Sequence, residues 1–234
     1  MAKRPPRWYF SFRSPYSWLA HRDLTERYPD VADRIEWRPF WEPDADLRDR
    51  LAAAGGRFPY SAMSREKHLY ILQDLRRLTA ERGLPVSWPV DRDANWEVAH
   101  LAYLVAEERG LGRQFIAGVY RARWDRGLNI SEPATIAAVA EDIGADPDGL
   151  VDAAANPEVR ERGLAALLDV CADGVFGVPY FANGFDKYWG LERLPGFIAA
   201  VRGTGASAKP AEVAPDDTPA LVGVGDFSHA GGCG

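Results

Sequence analysis

The chain has 234 residues, with 28 Lys or Arg against 34 Asp or Glu, for a net charge of −6. That balance leaves no basic footprint for nucleic acid, and no apolar run reaches the roughly 18–20 residues that cross a bilayer. With 47% apolar residues, eight Trp, nine Tyr and ten Phe, there is ample material for one sizeable core. The basic start, Met1–Arg7, is followed by a strand-like segment instead of an apolar secretory core, so the expected location is cytoplasmic. The two cysteines, Cys171 and Cys233, form no CxxC pair, and the four histidines, His21, His68, His100 and His229, are scattered. Neither a disulfide framework nor a metal site is expected.

Arg7–Phe12, made of aromatic and polar residues, reads as a short strand. From Pro15 the apolar spacing turns helical through Tyr16, Leu19, Ala20, Leu24 and Tyr28, until Pro29 stops it. Ile35–Pro39 is a second strand. A loop-rich stretch with one short helix follows, and then helical segments at Lys67–Arg82, Asn95–Arg109, Arg113–Arg126 and Glu132–Ile143. Ser131 is the expected N-cap of the last of these, with Pro133 just inside it. Two shorter helices carry the chain to Cys171. Strands return at Pro179–Asn183 and Phe185–Tyr188 across an Asn183-Gly184 turn, and a last helix runs over Leu191–Val201.

This order is β-α-β, a helical insert of roughly 110 residues, then α-β-β-α, an α/β sheet protein with an inserted helical region. The expected boundaries are 1–45 and 157–203 for the two halves of the sheet domain, with 46–156 as insert. Residues 204–234 are rich in Pro, Ala, Gly, Ser and Asp and carry one aromatic, Phe227. Such a segment buries too little apolar surface to offset its ordering entropy and is expected to be a mobile tail.

Chemistry concentrates at two places. Ser14-Pro15 is a good cap and first-turn pair. The same geometry puts a hydroxyl beside the positive end of a helix, where an anion can be held. Serine alone ionises too weakly to attack, and no histidine is placed by sequence to activate it. A thiol, at pKa about 8.5, is readily drawn down in such a place, so the natural client of Ser14 is another molecule's thiolate. Ser17, one turn on, is either a second donor or helix surface. At Val178-Pro179, either a strand begins with proline, or the peptide is cis and an exposed Val178 backbone pairs with an extended ligand. Trp37, Trp41 and Trp124 either wall an aromatic pocket or fill the core. Lys67, Tyr70 and Asp74 share one helix face.

Tyr9-Phe10-Ser11-Phe12-Arg13-Ser14-Pro15-Tyr16-Ser17, Trp37-Arg38-Pro39 and Lys67-x-x-Tyr70-x-x-x-Asp74 form a pattern with Gly174–Pro179 and Tyr188–Leu194. It is similar to that of the 2-hydroxychromene-2-carboxylate isomerases and kappa-class glutathione transferases, over about residues 7–202. The resemblance implies a thioredoxin-like, DsbA-like fold with a large all-helical insertion, a homodimer and a small-molecule substrate. It also implies a cofactor, glutathione or another low-molecular-weight thiol, whose thiolate Ser14 stabilises while it adds reversibly to a conjugated substrate. Val178, Pro179, Glu192 and Arg193 are then the contacts to the thiol ligand, and Tyr16, Lys67, Trp124 and Tyr180 line the substrate pocket. Ser11, Tyr180 and Glu192 stand where that family commonly has Asp, a small residue and Asp. The tail offers two further roles. Cys233 serves as a tethered thiol, or the domain is a non-catalytic carrier that presents the tail to a modifying enzyme.

Overall fold

A computed structural model describes residues 4–59, 63–91 and 94–204. Of the 204–234 tail it describes Thr204 alone, so Cys233 and the roles assigned to it lie outside the described residues.

β1 (Arg7–Phe10) leads into α1 (Pro15–Arg22), a π-turn at Asp23–Arg27 and α2 (Pro29–Ala32), which return the chain to β2 (Glu36–Pro39). Then come α3 (Ala45–Ala53), α4 (Arg65–Glu81), α5 (Glu97–Glu108) and α6 (Gly112–Tyr120), which widens into a second π-turn at Arg121–Asp125. α7 (Pro133–Asp142) and α8 (Pro157–Ala172) precede the hairpin of β3 (Tyr180–Asn183) and β4 (Asp186–Trp189). A 3₁₀ turn at Leu191–Arg193 opens α9 (Leu194–Arg202). The strand order is β2-β1-β3-β4, with β1 parallel to β2 and antiparallel to β3. A parallel pair needs a crossover, here the helical run α1 to α2, whereas the antiparallel pair β3–β4 closes by a tight turn. This is the thioredoxin-like arrangement that the sequence predicts.

The helices begin where side chains can satisfy their first N–H groups. Ser14, Asp44, Ser64 and Asn156 cap α1, α3, α4 and α8, each side chain accepting from backbone N–H two or three residues on. Asn156→Ala is expected to cost about 1 kcal/mol, read as a lower urea midpoint at unchanged slope, with Asn156→Asp close to neutral.

One core joins sheet and helices. The Trp8 ring meets Trp37 edge-on at 4.7 Å across the parallel pair. Beyond the strand, Phe12 packs on Tyr103, Phe115 and Tyr120 of α5 and α6, at ring distances of 5.4–6.5 Å. Gly163 lies inside α8 because its bare Cα lets that helix approach α5; a Cβ there would lie 2.6 Å from Leu101 Cδ2. At the other end of α8, Asp173 accepts from the Tyr9 hydroxyl and pairs with Arg7 at 2.9 Å, tying the helix to β1.

Several local expectations are corrected. β1 ends at Phe10, two residues early, because the next polar groups bond to the helices instead of a strand: Phe12 N–H donates to His100 and Ser11 O accepts from Tyr120. The cap of α7 is Glu132 and not Ser131, since Asn129 Oδ1 accepts the Ser131 N–H and closes a turn before the helix starts. One 16-residue helix, α8, stands where two shorter ones were expected. The hairpin loop is Gly184-Phe185, with Asn183 paired to Asp186, and Gly184 supplies the positive φ of 65°.

Candidate functional site

The site lies where the parallel strands end. Ser14 N–H donates to Ser11 O (3.2 Å), which turns the chain out of β1 and into α1. The Ser14 Oγ accepts from Ser17 N–H at 3.2 Å, so the hydroxyl proton remains to be donated. Ser14 is 1% exposed, yet it lines a cleft of about 420 Å³ together with Arg13, Pro15 and Tyr16. A group bound there would meet the Ser14 hydroxyl and the positive end of α1 with little competing water, which suits an anion. Ser17 is fully buried and accepts from Ser11 N–H (3.3 Å); it braces the turn and is not helix surface.

The turn is held from behind by a residue that sequence reasoning passed over. His100 Nε2 accepts from Phe12 N–H at 3.1 Å, which makes Nδ1 the protonated nitrogen, donating to Trp96 O at 2.6 Å. Burial pushes this histidine down to about 3, so it stays neutral. It contacts the Ser11–Phe12 turn, not Ser14, and is a positioning residue. The signal for it in the sequence was slight, a histidine on the apolar face of α5.

Across the cleft, α4 contributes Ser64, Arg65, His68 and Ile71, one face at helical spacing. Trp88 and Trp124 form an aromatic wall; Trp88 stands edge-on to Trp124 at 5.7 Å, and Trp124 stacks on Trp18 of α1 at 5.9 Å. The second π-turn presents Trp124, and Ser87 fastens the Trp88 segment to that turn through Trp124 O (2.8 Å) and Asp125 O (2.9 Å). The buried Arg123 clamps Asp91 with two 2.8 Å bonds and lies 5.0 Å from the Trp124 ring centre. Arg13 pairs with Glu42 at 3.3 Å and lies over Trp96. The cleft is therefore aromatic on one wall, and the guanidinium groups of Arg13 and Arg123 are already paired with carboxylates.

The structure brings Ser14, Tyr16 and Trp124 together in this cleft. Trp37 and Trp41 are core residues outside it. Lys67 is half-buried on α4 but outside the cleft lining, and Tyr180 is buried at the start of β3 against Tyr9. The Tyr16 hydroxyl donates to Asp74 at 2.8 Å, and beyond it a second cleft of about 390 Å³ contains Asp74 and Glu192. The Glu192 carboxylate folds over Gly190, where a Cβ would meet it at 2.7 Å; Gly190, at φ 99°, makes that approach possible. Arg193 is exposed and, among the described residues, forms no ion pair with Glu192.

The Val178–Pro179 peptide is cis. The register pairing Tyr9 with Tyr180 carries the preceding residues toward the end of β1 from which the Ser14 turn departs. Val178 is not exposed, however, contrary to expectation. It is 0% accessible, packed in a small cluster with Tyr9, Phe40, Val170, Val175 and Tyr180, which covers the backbone that a strand-like ligand would need.

Residues 7–202 match the family model described as the DSBA-like thioredoxin domain. Over 191 residues the chain is 29% identical to a 2-hydroxychromene-2-carboxylate isomerase of Sphingobium xenophagum, covering 80% of this chain and 92% of that one. It is 26% identical over 185 residues to the Homo sapiens glutathione S-transferase kappa 1, covering 73% and 77% of the two chains. Among solved structures, a 2-hydroxychromene-2-carboxylate isomerase superposes with a TM-score of 0.68 at 21% identity, over 85% of this chain and 94% of that one, a likeness of fold.

Proposed function

The chain belongs to the DSBA-like thioredoxin-domain family, and on that premise we propose that it is a thiol-dependent isomerase acting on a conjugated aromatic carboxylate. The observation that carries this reading is the Ser14 hydroxyl, free to donate at the start of α1, in a cleft whose lining contains no cysteine among the described residues. Disulfide exchange needs a protein sulfur at that place. A serine there instead serves a thiolate brought by a cofactor of the glutathione type. When bound, such a thiol supplies a nucleophile that adds to and leaves a conjugated double bond, freeing rotation about it.

The chain's own residues then have separable tasks. Ser14 donates to the sulfur and, with the end of α1, keeps it ionised. Trp88 and Trp124 take the flat face of the substrate. The second cleft, past Tyr16, offers the Glu192 carboxylate to a cationic end of the thiol ligand. The relatives named for 2-hydroxychromene-2-carboxylate favour the isomerase over the transferase, since that compound is by its chemistry the ring-closed form of a conjugated 2-oxo acid.

The test is a glutathione titration of the full chain followed by tryptophan fluorescence, with isomerisation assayed with and without the thiol. Saturable quenching and turnover that requires glutathione are expected. Turnover without added thiol that disappears in Cys233→Ser would assign the sulfur to Cys233 instead. The absence of both binding and turnover would remove the isomerase reading.

A further inference from the structure

His68 lines the cleft and has no task in the reading above. It is the one imidazole there among the described residues, since His21 and His100 are buried in the core. Its ring stands edge-on to Trp88, with centroids 6.1 Å apart and planes at 86°, so the ring is packed while both nitrogens keep no hydrogen-bond partner among the described residues. Arg65, three residues earlier on the same face, is exposed and forms no ion pair among the described residues. The other cleft arginines are committed, Arg13 to Glu42 and Arg123 to Asp91.

Arg65 opens α4 beside the Ser64 cap, where the helix end and the guanidinium both favour a carboxylate. Three residues along a helix is about 4.5 Å of rise. A 2-oxo acid carries its oxo oxygen on the carbon next to the carboxylate. With the carboxylate on Arg65, that oxygen falls within reach of the His68 ring.

We propose that His68 is a catalytic residue of this cleft, the proton donor to the oxo oxygen of a conjugated 2-oxo acid whose carboxylate Arg65 holds. The inference rests on the isomerase reading. As the conjugated electron pair moves onto the oxo oxygen, the His68 N–H bond breaks and an O–H bond forms. As the pair returns, the proton goes back to the ring. Isomerisation is then balanced, with no oxidant, reductant or net proton consumed. The charges facing the ring are Arg13, Arg123 and Asp91 across the cleft and Arg65 on its own helix.

The experiment uses the full chain with trans-2-hydroxybenzylidenepyruvate, the ring-opened form of 2-hydroxychromene-2-carboxylate, as probe, first without thiol. Histidine-selective NMR is expected to show a saturable shift of one ring signal, assigned to His68 by its loss in His68→Gln, and Arg65→Ala should weaken probe binding about tenfold. With glutathione present, His68→Gln should bind the probe within about threefold of the parent but turn over about 100-fold more slowly. An unmoved His68 signal at saturating probe, a probe that does not bind, or turnover of His68→Gln within about threefold of the parent would each overturn the proposal. A shifted His68 signal in a protein with no thiol-dependent turnover would support the oxo-acid contact and remove the thiol reading, so the two failures are distinguishable.

Discussion

Ser14→Ala is expected to lower thiol-dependent kcat/KM by about 10- to 100-fold. The lost interaction is a hydrogen bond to a charged sulfur, about 1.5–3 kcal/mol, and each factor of ten corresponds to about 1.4 kcal/mol. The acidic limb of the pH–rate profile should move upward by about one to two units, because the thiol then ionises with less help. Ser14 also caps α1, so the same substitution should cost about 1 kcal/mol of stability. Thr at position 14 retains the hydroxyl, and Ser14→Thr should recover most of the rate; Ser14→Gly keeps the cap tolerable but not the donor. A rate for Ser14→Ala within about threefold of the parent, with the pH profile unmoved, would mean that Ser14 is a helix cap and nothing more.

The second large effect is acid sensitivity. Burial, with the nearby charges of Arg22 and Arg113, pushes His21 down to about 3, and burial does the same to His100. In the unfolded chain both titrate near 6.5. Below that pH the unfolded state binds more protons than the folded one, so stability present above 6.5 is lost as pH falls toward 3. Each group contributes about 1.4 kcal/mol per pH unit, or about 4 kcal/mol for the pair by pH 5. Glu97, pushed up to about 7 by burial, works in the opposite sense, since it holds a proton when folded that the unfolded chain releases. A net loss of about 2 kcal/mol between pH 7 and pH 5 is expected. The His21 ring packs against Trp37 at 5.5 Å and Tyr120 at 5.3 Å, and among the described residues no hydrogen bond to it is found, so phenylalanine should fit there. His21→Phe should therefore gain about 2 kcal/mol on the parent between pH 7.5 and pH 5, measured by urea unfolding at both. An unchanged difference at the two pH values would show that His21 is not the group that titrates.

Much of this molecule was legible in the chain because it depends on neighbours in sequence. Ser14-Pro15 announces the start of α1 through the hydrogen bond its own side chain can make. The order of strands and helices named the fold, since a parallel β-α-β followed by a β-β hairpin has few ways to share one sheet. Ser14 itself could be singled out, because a helix N-terminus is a local electrostatic fact.

What lay beyond the sequence was decided across distance. That His68 and Trp88 face Ser14, that His100 holds the Ser11–Phe12 turn, and that Arg123 reaches Asp91 depend on which faces of α4, α5 and α6 turn inward. Spacing shows that a helix has a polar and an apolar side; it does not show which element, 50 or 100 residues away, that side will meet. Val178 is the reverse case, where a correctly placed motif is closed by packing of Phe40 and Val170 that no local pattern announces. The chain by itself therefore determined the fold, the start of α1 and the serine. Close packing of distant aromatic side chains, which admits only particular partners, decided what surrounds that serine.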